Sequence, residues 1–117
     1  MTVASYDILN NLEEKSFIAG TDQLYTFVCY QSDGVNLLSI AGGSATWKLC
    51  PYGEFGINTI TKTGSIIDAN SFTVTLDSSD TISLSGKYIQ QVSVTDFYGD
   101  TFAPGQGIIL IFPVISD

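Results

Sequence analysis

The sequence predicts an all-β fold, an antiparallel sandwich, and three observations carry that expectation. Apolar and polar residues alternate in short runs: Ala45, Trp47 and Leu49 against Thr46 and Lys48, then Phe72, Val74 and Leu76 against Ser71, Thr73 and Thr75. Turn signals such as Ser32-Asp33-Gly34, Gly42-Gly43, Pro51-Tyr52-Gly53 and Tyr98-Gly99-Asp100 recur roughly every 8–12 residues. No amphipathic helix of useful length separates the runs, which disfavours an α/β arrangement.

Taken in order, residues 1–16 form an N-terminal extension and residues 17–117 the sandwich. The extension has two readings. One is a short helix capped by Ser5, with Ile8, Leu9 and Leu12 at helical spacing. The other is an extended arm, pairing as an extra strand. Asn10 and Asn11 are poor helix formers, and Glu13-Glu14 sit at the wrong end for the helix dipole. With no strong fold signal of its own, this arm is expected to order on assembly with a partner.

Thr21 to Gln31 is rich in aromatic and β-branched residues and ends at a strong turn, so it is a strand with Phe27 in the core. Val35 to Ile40 is a short segment leading to Gly42-Gly43. Ser44 to Cys50 is a half-buried strand with Trp47 and Leu49 inward and Cys50 outward. Ile57 to Thr63 and Ser65 to Asp68 make a ribbon or an irregular strand pair around Gly64. Ser71 to Asp77 buries Phe72, Val74 and Leu76, and Ser78 to Leu84 is a tight connection of about one helical turn. Lys87 to Asp96 buries Tyr88, Val92 and Val94. Thr101 to Ile115 closes the fold, interrupted early by Pro104-Gly105. Its run Ile108 to Phe112 is apolar on both faces, so its outer face needs cover, from this chain or from another.

Composition narrows the function. At 117 residues the chain is one domain with a real core, 44% apolar, with seven Phe, six Tyr and one Trp. Only 14% of residues are charged, against about 25% in typical usage. A surface so poor in charge is rich in small polar residues or is covered by partners. The net charge of −8 comes from twelve acids and four lysines, with no arginine and no histidine. Nucleic-acid binding is disfavoured for want of a basic footprint. The commonest general base and metal ligand is missing. The start Met1 to Asp7 does not read as a signal peptide, and no segment approaches the roughly 18 apolar residues of a membrane span. Synthesis in a reducing cytoplasm, with Cys29 and Cys50 as free thiols, is therefore expected.

No catalytic residue, cofactor site or metal site is expected. The acids are scattered, and Asp77 and Asp80 suit a turn cap better than an acid/base pair. Asp96 and Asp100 could ligate Ca²⁺ through oxygen, but ordinary turn chemistry around Tyr98-Gly99 accounts for them. Gly105-Gln106-Gly107 lacks the lysine and following helix of a phosphate loop, and its glycines suit a bulge or a close backbone approach. Tyr52, Phe55, Phe97, Tyr98 and Phe102 are loop aromatics that either plug the sandwich ends or stack on sugars.

Along the chain stand Tyr25-Thr26-Phe27, Asp33-Gly34, Gly43 to Leu49, Phe72 to Leu76, Asp80-Thr81 with Leu84 to Tyr88, Asp96 to Gly99 and Gly107 to Ile111. This order of strands and turns resembles the immunoglobulin-like accessory modules of bacteriophage virion proteins, over roughly Phe17 to Pro113. The resemblance implies an immunoglobulin-like sandwich with Trp47 buried on its third strand segment. Cys29 lies near the first cysteine position, and no cysteine stands at the partner position among Gln90, Val92 and Val94. Tyr88 is either a tyrosine corner or a half-buried strand tyrosine. The function implied is non-enzymatic: a virion protein made in the host cytoplasm, most naturally a capsid decoration (cement) protein. Its partners would be major capsid or tail proteins, with many copies on the particle and no nucleic acid or membrane. A small tail, baseplate or neck adaptor is the alternative, and a carbohydrate- or receptor-binding module is the alternative of another class. The expected interaction surface comprises Ile8, Leu9, Leu12, Phe97, Tyr98, Phe102, Ile109 and Ile111.

Overall fold

Period-two alternation becomes strand pairing in the computed structural model, which describes residues 2–8, 12, 14–30, 36–54 and 59–114, with the side chains of 2–8 and of 103–104 outside the description. Among the described residues the order is β1 (Thr2–Ile8), β2 (Lys15–Ile18), β3 (Gln23–Cys29), β4 (Ser44–Pro51), β5 (Ile60–Thr63), β6 (Ser65–Asp68), β7 (Ser71–Leu76), a helical turn α1 (Ser78–Thr81), β8 (Gly86–Thr95) and β9 (Thr101–Phe112). One sheet has the order β1-β3-β7-β6 and the other β2-β9-β8-β4-β5.

The facing surfaces hold the core. Phe27 lies opposite Phe72 across β3 and β7, and the rings stack at 4.9 Å. Tyr25 bridges from this sheet to the other: its ring centroid is 6.4 Å from that of Trp47. On the five-stranded sheet, Trp47 pairs with Val92, Leu49 with Gln90 and Ala45 with Val94. Phe27, Trp47, Leu49, Phe72, Val74, Leu76, Tyr88, Val92 and Val94 are all buried. So are Tyr25, Cys29, Ile40, Ile109 and Ile111. Tyr25, rather than Cys29, stands beside Trp47, so aromatic rings fill the space between the sheets there.

Of the two readings of the N-terminal segment, the extended one holds over Thr2–Ile8 and Lys15–Ile18, which are strands, and the helical one is corrected there; Leu12 and Glu14 lie between the strands. Thr2–Ile8 pairs in parallel with β3, and Lys15–Ile18 pairs in parallel with β9. The boundary at residue 16 therefore falls inside a strand. Leu12 and Phe17 are buried in the common core, so this part of the chain is integral to the sandwich. Each sheet is antiparallel except for its one N-terminal strand.

Two other expectations change. β5 and β6 are not a ribbon, because β5 pairs with β4 and β6 with β7, in different sheets. Gly64 is the crossing point. Its N–H donates to the Ala45 carbonyl at 2.8 Å, and a Cβ there would lie 2.6 Å from the Phe72 ring. Pro104 does not interrupt the last strand. β9 runs on through it, and the register shifts between Val92 and Val94, whose partners are Gly105 and Phe102. This bulge places the proline where the ladder is already broken.

The short connection after β7 is the expected helical turn. The Asp77 N–H donates to Asp80 Oδ2 at 2.9 Å, and Lys62 Nζ on β5 lies 3.0 Å from the same carboxylate. Ser78 N–H donates to Asp22 Oδ1 at 2.7 Å, and Gly20 N–H to Thr81 Oγ1 at 2.9 Å. These bonds tie α1 to the loop between β2 and β3 and close one end of the sandwich.

Candidate interaction surfaces

The turn joining β8 to β9 is built by one carboxylate. Asp96 Oδ1 accepts from the Tyr98 N–H at 3.0 Å and from the Asp100 N–H at 2.9 Å. Asp96 N–H donates to the Asp100 carbonyl at 2.9 Å, and Gly99 N–H to the Asp96 carbonyl at 3.1 Å. Gly99 has φ 86°, which only glycine adopts without strain. A rigid tip results, and it carries its aromatics outward. Phe97 is 72% and Tyr98 85% exposed, in an edge-to-face pair at 5.5 Å. The Phe97 ring also lies against Gly42, where a Cβ would come within 2.8 Å of it. Phe102, on β9 opposite Val94, is partly exposed at the same end.

The far end of the sandwich is apolar too. Ile18 and Phe112 are cross-strand partners, and each is about half exposed. Ile82, after α1, is exposed beside Gly20. Tyr52 lies on this half of the molecule, next to Lys87, whose Nζ sits 4.1 Å from the ring centroid. Tyr52 is thus far from the Phe97–Tyr98 tip, and the two do not form one aromatic cluster. Phe55 lies outside the described residues.

The outer face of the five-stranded sheet carries a shallow trough of about 420 Å³, lined by Lys48, Cys50, Thr59, Thr61, Ile89, Gln91 and Gln106. A neighbouring hollow of about 480 Å³ shares Ile89 and Gln106 and adds Leu12, Glu14, Tyr52, Gly107 and Ile108. Gly107 is needed here. Leu12 packs on it so closely that a Cβ would lie 2.6 Å from the Leu12 Cβ, and the Leu12 N–H donates to the Gln106 carbonyl at 2.8 Å.

Several expected surface residues are corrected by this geometry. Ile109 and Ile111 point inward from β9 and are buried, as alternation from Tyr88 and Gly86 opposite them requires. Leu12 is buried by its seat on Gly107. The outer face of the same run is Ile108, Leu110 and Phe112; β2 pairs along the strand's edge and leaves Phe112 half exposed. Ile8 belongs to β1 by its backbone, and its side chain lies outside the described residues, as does Leu9 altogether. Cys50 does sit on the outer face, yet it is only 9% exposed, because Ile89 lies opposite it and the trough walls enclose it. The trough itself was missed in the sequence. Its residues come from four strands and a loop, and the available signal was only that Ile89 and Gln91 share the non-core face of β8.

Both cysteines are free thiols. Burial, helped by the nearby charge of Asp68, pushes Cys29 from its ordinary 9.0 up to about 12, so it is a core residue rather than a nucleophile. Hydrogen bonds from Ser71 and Asn70 lower the Asp68 carboxyl, and bonds from the Asp77 backbone and Lys62 lower that of Asp80. Among the described residues no three His, Cys, Asp or Glu side chains gather as a metal-binding group. Among the described residues no helix is long and apolar enough to cross a membrane. No family model matches the chain, and no curated protein matches it.

Proposed function

We propose that this chain is a non-enzymatic binding module that builds onto a larger assembly, specifically a phage virion protein of the capsid-decoration kind. The observation that carries a binding role is the tip at Phe97 and Tyr98. Two large aromatic side chains stand 72% and 85% exposed on a turn that four hydrogen bonds make rigid. Pre-ordered aromatics of this kind anchor protein interfaces at low entropic cost. Their edge-to-face arrangement does not make one joint flat platform, which favours a protein partner over a sugar ring.

The particle assignment rests on the immunoglobulin-like resemblance, which the strand order supports. If β1, β3, β4, β6, β7, β8 and β9 are read as strands A to G, the sheets contain the orders A-B-E-D and G-F-C of that fold; β1 departs from it by pairing in parallel with β3, and β2 and β5 add one edge strand each to the second sheet. Trp47 is buried on the C strand, as such domains require, while Gln90 and Tyr25 occupy the space beside it. As a decoration protein the chain bridges neighbouring shell subunits, and repetition over a lattice raises effective affinity.

Mixing the purified protein with intact and protein-stripped capsids, then sedimenting and imaging them, tests this. Saturable binding at fixed lattice positions, lost in the Phe97→Ala/Tyr98→Ala variant, is the expected result. Occupancy of isolated tails alone moves the protein to an adaptor role. Absence from both overturns the virion reading and makes a glycan-binding screen the next step.

A further inference from the structure

Charge is segregated in this molecule by sheet. The four lysines all stand on strands of the five-stranded sheet: Lys15 on β2, Lys48 on β4, Lys62 on β5 and Lys87 on β8. No Asp or Glu occurs on any strand of that sheet, although the chain has twelve. Lys48 and Lys87 belong to the outer face, because their neighbours Trp47, Leu49 and Tyr88 point inward. Between the strands lies the trough of about 420 Å³, with Ile89 and Cys50 as its apolar wall and Gln91 and Gln106 at its polar edge. Gln106 donates to Gln91 at 2.6 Å, which fixes that edge. The volume falls within the roughly 300–1,000 Å³ of ordinary ligand clefts, ample for an aromatic ring.

The tip is the complement of this trough. Phe97 and Tyr98 supply exposed rings, and Asp96 and Asp100 flank them with negative charge. We infer that the tip of one copy docks in the trough of a second copy, forming a head-to-tail contact. A tip cannot fill its own trough. It projects from the end of the sheet beyond Thr95 and Thr101, whereas the trough opens on the face around Gln91, about 13 Å back along β8 at the strand rise. Charge selects this pairing over the symmetric ones. Two troughs face to face set Lys48 against Lys48, and two tips set Asp96 and Asp100 against theirs. Tip to trough instead brings Asp96 and Asp100 toward Lys48, the charged side chain that lines the trough. Such a contact uses different patches on the two partners, so it propagates into a ring or a filament.

The test is sedimentation velocity on the purified protein from low micromolar to about 1 mM. Wild type is expected to grow beyond the dimer with concentration and to dissociate as salt is raised, because the contact is partly ionic. A tip variant, Phe97→Ala/Tyr98→Ala, and a trough variant, Lys48→Glu/Gln91→Glu, each change exposed or half-exposed side chains. Circular dichroism melts check that both stay folded, and Lys48→Glu alone serves if the double trough variant does not. Each variant alone is expected to self-associate at least about tenfold more weakly. Mixed in equal amounts, they should form a one-to-one dimer and stop there, since each keeps one intact half of the contact. A wild type monomeric across the range overturns the inference. So does a mixture that stays monomeric, or association that halts at a symmetric dimer. The tip is also the anchor proposed above for the shell, so each copy uses it for one contact at a time; no capsid enters this experiment, so its failure leaves the virion reading standing.

Discussion

Trp47 shows at the residue scale how this core reconciles size with polarity. Its indole N–H, fully buried, donates to Gln90 Oε1 at 2.8 Å. A buried N–H without such a partner costs about 1–3 kcal/mol. The arrangement leaves the Gln90 Nε2 without a partner among the described residues, so one buried polar group satisfies another incompletely. Trp47→Phe is expected to cost about 2–4 kcal/mol, from lost packing and a wholly unpaired Gln90 amide. Gln90→Leu should cost about 1–3 kcal/mol, because it strands the indole N–H. The double variant should be less damaged than the sum, since neither unpaired group then remains. Urea denaturation of the four proteins measures this, and strict additivity would show that the hydrogen bond contributes nothing.

At the scale of elements, the N-terminal strands matter in unequal measure. β2 places Phe17 in the core and pairs along β9, with the Ala19 N–H donating to the Phe112 carbonyl at 2.8 Å. β1 adds an edge to β3. Removing residues 1–8 is therefore expected to keep the sandwich but expose the β3 edge, giving a lower melting temperature and faster aggregation. Removing residues 1–18 also takes away Leu12 and Phe17, and the chain should lose cooperative unfolding altogether. Near-ultraviolet circular dichroism during melting distinguishes the cases. Equal stability of both truncations would show that β2 is dispensable. The same strands mark a limit of local patterning. Alternation from Ser44 onward was plain in the sequence because each of those strands has one wet face. The first sixteen residues read ambiguously because their strands exist only by pairing with β3 and β9, far along the chain. β5 and β6 were misjoined for a related reason: no local residue records that Gly64 carries the chain from one sheet to the other.

The whole molecule is acidic, and two of its carboxylates predict a loss of stability in acid. Asp80 and Asp68 both have carboxyls held below the usual 3.8 by hydrogen bonds made only in the folded state. A carboxyl lowered on folding stabilises fully above its unfolded pKa, and that contribution is lost as pH falls through the folded value. Stability should thus decline below about pH 4. Asp80→Asn should lower the melting temperature slightly at neutral pH, because it also loses the Lys62 pair. It should flatten the acid limb as well. Melting temperatures across the acid range decide this, and an unchanged acid limb in the variant would assign the decline to other groups.

The sequence alone determined the all-β class, most strand positions, the inward residues of β4, β7 and β8, the helical turn and the exposed Phe97–Tyr98 corner. Those features follow from period-two burial and turn chemistry, which act over a few neighbouring residues. Only the tertiary structure decided which strands pair, that Leu12, Ile109 and Ile111 are core, and that Lys48, Cys50, Ile89 and Gln106 line one trough. Each of these depends on contacts between distant segments. A residue's face can be read from its neighbours, but what covers that face cannot.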